Sequence, residues 1–148
     1  KEKALAKDPN DSRKLPLFIA EKDEKMLYVA PIRGKGLWDA IWAYVSMDED
    51  MTIQGIYFDH KAETPGLGAN IKQRFFMDDF IGEALLDSNG NFKGINVSKT
   101  NLDPKNIDKY DNEVDAIAGS TITGDGVTAM IRSDLSLYQS YFNNIKNN

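Results

Sequence analysis

"GLWDAIWAYVSMDEDMTIQGIYFDH", residues 36 to 60, carries two apolar segments on either side of an acidic "DED". In the second segment Ile53, Gly55 and Tyr57 alternate with Gln54, Ile56 and Phe58, which is the period of a strand. The first is apolar enough to be mistaken for a helix, but paired with its neighbour across the acidic tip it reads as one arm of a β-hairpin. On the N-terminal side, "KMLYVAPIRG" (25 to 34) is a β-rich apolar run ended by Pro and Gly, which predicts a strand and a turn. Ahead of it, residues 1 to 24 read as a polar lead-in or short helix, with 1 to 14 the most charged part.

On the C-terminal side, "TPGLGANIKQRFFMDDFIGEALL" (64 to 86) opens on a Pro–Gly turn and predicts a short helix after Leu67. "SNGNFKGINVSK" (88 to 99) offers an Asn–Gly turn followed by a strand. After the polar loop "TNLDPKNIDKYDNE", apolar residues return at helical spacing from Val127 through Ile131, Leu135, Leu137, Tyr138 and Tyr141. That predicts a terminal amphipathic helix of about five turns. The sum is one α+β domain over residues 25 to 148, an antiparallel sheet with flanking helices and a long C-terminal helix.

Composition narrows the function. The 18 basic residues are outnumbered by 23 acidic ones and form no stripe, so nucleic acid is an unfavourable partner. Without cysteine there is no thiolate catalysis, iron–sulfur cluster or cysteine zinc site, and His60 alone argues against a histidine metal centre. No apolar run approaches the ~18 residues that a membrane helix needs, so the chain as written is expected to be soluble and, in isolation, monomeric. The acids Asp78–Asp79 and Asp48–Glu49–Asp50 read as a solvated helix face and a hairpin tip, and His60 as a surface residue at a strand end.

Three segments carry candidate chemistry. In "AGSTITGDG" (118 to 126) a loop turns into a helix, where free N–H groups and the dipole favour a phosphate and Gly119 permits close approach. The plainer alternative is a capped helix, with Thr121 or Thr123 as the cap and Asp125 favouring the first turn. "ETPGLGAN" (63 to 70) makes a tight turn able to present backbone groups to a planar ligand, or simply joins a strand to a helix. "GKGLW" (34 to 38) sets an aromatic or aliphatic wall beside a ligand, with Lys35 near, or is a turn entering a buried strand.

Taken together and in order, "GKGLW", "DHKAETPGLGANI" and "DAIAGSTITGDGV" resemble the FMN-binding domain found in the NqrC component of bacterial sodium-translocating NADH:quinone oxidoreductases, related to the RnfG component of the Rnf electron-transport complex. The likeness covers roughly residues 30 to 145. It implies a redox carrier within an ion-translocating enzyme, loaded by a flavin transferase that joins FMN through its phosphate to a threonine. The attachment motif falls on Asp115, Ala116, Ile117, Ala118, Gly119, Ser120 and Thr121, with Thr121 as acceptor. Ala118 replaces the usual hydroxyl residue and Ser120 the usual alanine, which puts a second hydroxyl beside the acceptor; Thr123 follows two positions on.

By the same resemblance Glu63, Thr64 and Leu67 line the isoalloxazine ring, Gly36 and Leu37 lie on another side, and Lys99 is a candidate cationic partner. The family's full-length protein has an N-terminal membrane helix and places this domain on the periplasmic or external side of the bacterial inner membrane, among the other subunits. The present chain is expected to lack that anchor. Two rival expectations are a noncovalent flavin or nucleotide module, with Thr121 merely a cap, and an extracellular interaction domain without cofactor that docks through the Trp38/Trp42 region.

Overall fold

The computed structural model describes residues 15–147. The hairpin is present as half of a four-stranded antiparallel meander, β1 Phe18–Lys22, β2 Lys25–Lys35, β3 Ala40–Met47 and β4 Ile53–His60, in the order β1-β2-β3-β4. Residues 1 to 14 of the expected lead-in lie outside the described residues; Phe18–Lys22, within that same stretch, is strand. It is an edge strand paired from Phe18↔Val29 to Lys22↔Lys25, closed by Asp23 and Glu24, both at positive φ (53° and 65°). A two-residue turn of this hand matches the twist of its flanking strands.

The β3–β4 pair carries a bulge. Met47 pairs with Ile53 but Ser46 pairs with Gly55, so Gln54 is the extra residue. The pleat therefore changes phase: Ile53 and Phe58, five positions apart, are both buried. At the tip the Asp48 carboxylate accepts the N–H groups of Asp50 and Thr52, each at 2.9 Å.

After β4 the chain makes a 3₁₀ turn, Gly68–Lys72, and a short helix α1, Arg74–Asp79. Phe76 and Phe80 close on Phe58, with ring centroids 5.2 to 5.4 Å apart, and these rings form the centre of the core. Two short parallel strands, β5 Asn96–Val97 and β6 Glu113–Val114, lead to the terminal helical run. That run comprises α2 Thr121–Met130, a π turn Ile131–Leu135, a 3₁₀ turn Ser136–Tyr138 and α3 Gln139–Lys146.

The run starts six residues before the expected Val127, and its apolar stripe is not continuous. Val127, Ile131, Leu135, Tyr138 and Phe142 are buried, whereas Leu137 and Tyr141 are partly exposed. A π turn holds an extra residue, so the stripe rotates as it passes. The same turn brings Asp134 against β2 beyond the last β1 pair, where its Oδ2 accepts the Arg33 N–H at 2.9 Å. Further along, the Tyr138 hydroxyl donates to the Pro16 carbonyl at 2.7 Å and fixes where the chain enters the fold. At the other end of the run α2 lies so close to β2 that a Cβ on Gly126 would stand 2.3 Å from the Lys35 carbonyl oxygen.

Candidate functional site

That close approach sets the start of α2 beside two loops, the β2–β3 turn at residues 36–39 and the segment 63–68 that follows β4. One side chain joins all three. Glu63 is 4% exposed; its Oε1 accepts the Leu37 N–H at 2.7 Å and the Thr123 hydroxyl at 2.9 Å, and its Oε2 accepts the Trp38 N–H at 3.0 Å. Its own N–H donates to His60 Nδ1 at 3.1 Å. Gly36 makes room for the carboxylate, since a Cβ there would lie 1.9 Å from Oε1. A buried carboxylate is tolerable only when hydrogen-bonded, and here three donors meet that condition without a cation.

Above Glu63 opens a cleft of about 310 Å³. Leu37, Trp38, Leu67 and Ile122, all well exposed, form its apolar walls; Thr64, Gly119, Ser120, Thr121 and Thr123 supply the polar lining. The Trp38 Nε1–H donates to Thr64 Oγ1 at 3.2 Å and ties one wall to the other.

The floor is the first turn of α2. Gly119 precedes it at φ +69°, a left-handed conformation that a side chain would strain. Ser120 occupies the N-cap position but makes no capping bond: its hydroxyl turns back toward the Ala118 carbonyl at 3.5 Å and the residue is 6% exposed. The first backbone bond of the helix runs from the Gly124 N–H to the Ser120 carbonyl, 2.9 Å. The N–H groups of Thr121, Ile122 and Thr123 therefore have no intrahelical partner. The capped-helix reading does not hold, because Thr123 spends its hydroxyl on Glu63, Asp125 lies beyond the first turn, and no side chain caps. Thr121 is exposed, and its hydroxyl makes no hydrogen bond to another described residue.

Eight of the twelve residues expected at the site line this cleft: Leu37, Glu63, Thr64, Leu67, Gly119, Ser120, Thr121 and Thr123. Gly36 backs Glu63 from behind. Ala118 and Lys99 are exposed and lie outside the lining. Asp115 is also outside it: its Oδ1 accepts the Asp103 N–H at 3.3 Å, while its buried Oδ2 has no partner. The lining adds Trp38, Gly68 and Ile122. Trp38 was within reach of the "GKGLW" reading; Ile122 carries a fainter signal, an apolar side chain on the first turn but off the buried stripe.

Chemically, the cleft offers flat apolar walls to a planar ring and three unpaired N–H groups, at the positive end of a helix, to an anion. The only charged lining residue, Glu63, is already engaged by its three donors. A phosphate here would be held by backbone and dipole.

Residues 36–136 match the FMN-binding domain family. Among curated relatives, NqrC of the Na(+)-translocating NADH-quinone reductase of Pseudomonas aeruginosa is 30% identical over 117 residues, 78% of this chain and 44% of the relative. Its counterpart of the same name from Yersinia pestis is 39% identical over 101 residues, 67% of this chain and 36% of the relative. The chain thus spans about half the length, or less, of these curated relatives. Among solved structures, the counterpart from Parabacteroides distasonis superposes with a TM-score of 0.77 at 38% identity, covering 86% of this chain and 62% of that one. Shewanella oneidensis NqrC gives 0.73 at 28% identity, covering 100% of this chain and 68% of that one.

Proposed function

The chain belongs to the FMN-binding domain family, and from that premise we propose that it is an electron-carrying flavoprotein domain with FMN joined through its phosphate to the Thr121 hydroxyl. Its setting is the NqrC component of a bacterial Na+-translocating NADH:quinone oxidoreductase, alongside the other subunits. The full-length form is held to the inner membrane by an N-terminal helix, with this domain on the periplasmic or outer side. A covalent tether suits that location, because a carrier outside the cytoplasm cannot readily replace a cofactor that dissociates.

The observation that carries the reading is Thr121, an exposed hydroxyl without a hydrogen-bond partner among the described residues, on a helix start that no side chain caps and that lines an apolar cleft. Each group in the cleft has a part. The Thr121 oxygen would bond to the flavin-bearing phosphorus of a flavin dinucleotide on the transferase; the pyrophosphate P–O bond would break, the nucleoside monophosphate would leave, and the hydroxyl proton would pass to a base of the transferase. The N–H groups of residues 121 to 123 then hold the phosphate. Leu37, Trp38, Leu67 and Ile122 would hold the ring and exclude water, and Glu63 keeps the Leu37 and Trp38 side of the cleft in place through their N–H groups. When bound, FMN supplies one- and two-electron redox chemistry, while the protein contributes orientation and electrostatics. Ser120 is the poorer acceptor, with its hydroxyl buried and turned toward the Ala118 carbonyl.

The test is the mass of the denatured protein after co-expression with the cognate transferase. The parent is expected to gain an FMN-sized adduct and Thr121→Val to remain bare. An unmodified parent, with the transferase shown active on another substrate, would favour noncovalent binding; an adduct on the variant would move the attachment to Ser120.

A further inference from the structure

Outside the cleft, one loop stands apart. Among the described residues the three most exposed large apolar side chains are Leu102 at 86%, Tyr110 at 84% and Ile107 at 79%, all within residues 101–111. A loose loop would fold such side chains back onto the body of the protein, because each exposed apolar side chain forfeits its burial free energy. This loop is held in place by polar bonds instead. The Asp103 carboxylate accepts the N–H groups of Ile107 at 2.7 Å and Asp108 at 3.2 Å, which closes residues 103–108 into a turn.

Beneath that turn Asn106, 2% exposed and at φ +42°, donates its side-chain amide to the Asp79 carbonyl and to Glu83 Oε1. The Lys109 ammonium also donates to the Asp79 carbonyl, at 3.1 Å, and the Lys109 carbonyl accepts the Ala84 N–H at 3.2 Å. Glu83 is fully buried, and its second oxygen has no partner among the described residues. Burying a carboxylate that is only half satisfied is destabilising. The result is a loop ordered in advance with its apolar residues facing outward, the condition under which binding wastes little free energy on ordering.

The charge around these residues selects the partner. Asp108 and Asp111 are exposed, and Asp103 and Glu113 partly so. Against them stand Lys105 and Lys109, and the second is committed to the Asp79 carbonyl. An acidic fringe is repelled by anionic lipid and attracted by lysine or arginine. No residue of the loop lines the cleft, so a partner seated here leaves the cleft open.

We propose that loop 101–111 is a docking element that seats Leu102, Ile107 and Tyr110 in an apolar hollow rimmed by lysine or arginine on another subunit of the oxidoreductase. This rests on the assignment to that complex proposed above. The experiment adds the full-length, flavin-loaded chain to the membrane complex purified without it and measures the dissociation constant. Leu102→Ser/Ile107→Ser/Tyr110→Ser is expected to bind roughly tenfold more weakly or worse. Asp108→Asn/Asp111→Asn removes two exposed charges while the amide oxygens still accept the Tyr110 and Glu113 N–H groups that Asp108 and Asp111 hold at 3.0 Å, so the loop keeps its bonds; this variant should also weaken binding. The parent should lose affinity as salt rises from about 0.05 to about 0.5 M.

Unchanged affinity in both variants would overturn the proposal, as would failure of the loaded parent to bind the complex. Binding of the parent to phosphatidylglycerol vesicles that the triple variant loses would also overturn it, in favour of a membrane contact. The adduct mass is read on the same samples: a parent without adduct that still docks through the loop counts against the flavin assignment, not against the docking element.

Discussion

Glu63 is the residue on which the cleft's geometry depends, and its removal should be felt well beyond one contact. Glu63→Ala strands the Leu37 and Trp38 N–H groups and the Thr123 hydroxyl; with water reaching some of them, the expected loss is ~2–4 kcal/mol in urea unfolding. Glu83 is a buried carboxyl of another kind. Burial raises it from its ordinary 4.5 to about 7, with the negative charges of Asp111 and Asp108 adding to the effect and the Asn106 amide and Lys109 opposing it. Its folded value lies above its unfolded one, so the folded chain holds the extra proton. The contribution is therefore full below about pH 4.5 and is lost as pH rises through about 7. Urea midpoints from pH 5 to 8 should fall by an amount equivalent to at most ~3 kcal/mol, and Glu83→Gln should flatten that slope. The sequence marked Glu63 as a site residue through its motif, but not the three donors that its carboxylate joins, and Glu83 carried no signal at all. Thr121 was legible because its neighbours form a motif, but the reason it differs from Ser120 is a hydroxyl orientation that only the fold determines.

Among the elements, α2 governs the site by how near it comes to β2. Gly126→Ala places a Cβ 2.3 Å from the Lys35 carbonyl oxygen, a backbone atom that cannot swing aside. Alanine gains ~1 kcal/mol of helix propensity, but forcing the helix off the sheet costs ~1–3 kcal/mol, so net destabilisation and a lower urea midpoint are expected. The same glycines explain why the helix start was hard to read: Gly124 and Gly126 break the apolar period, which becomes regular only from Val127. The hairpin was legible from its alternation, although the bulge at Gln54 means that neither alternating set faces wholly inward. Strand β1 had no pattern to show, since all five of its residues are exposed and its place depends on pairing with β2. Leu137 and Tyr141 were expected on the buried stripe because a helical period assumes that no π turn intervenes.

At the scale of the whole molecule, the antiparallel sheet and the long terminal helical run followed from hydrophobic periodicity, whereas the cleft required three distant segments to meet. Their order along the chain was readable as a resemblance; their meeting point, one buried carboxylate, was not. Asp115, expected from the attachment motif, and Lys99, expected as a cationic partner, lie outside the cleft lining. The bond between Tyr138 and the Pro16 carbonyl bears on how the proposed carrier would travel. The helical run from Tyr138 back to Thr121 is roughly 25 Å long at 1.5 Å per residue. Pro16 thus lies near one end of that run and the cleft at the other. On the function proposed above, a domain tethered at that end would sweep the cleft along an arc of about that radius as it pivots, so the domain's own length would set the reach of electron delivery.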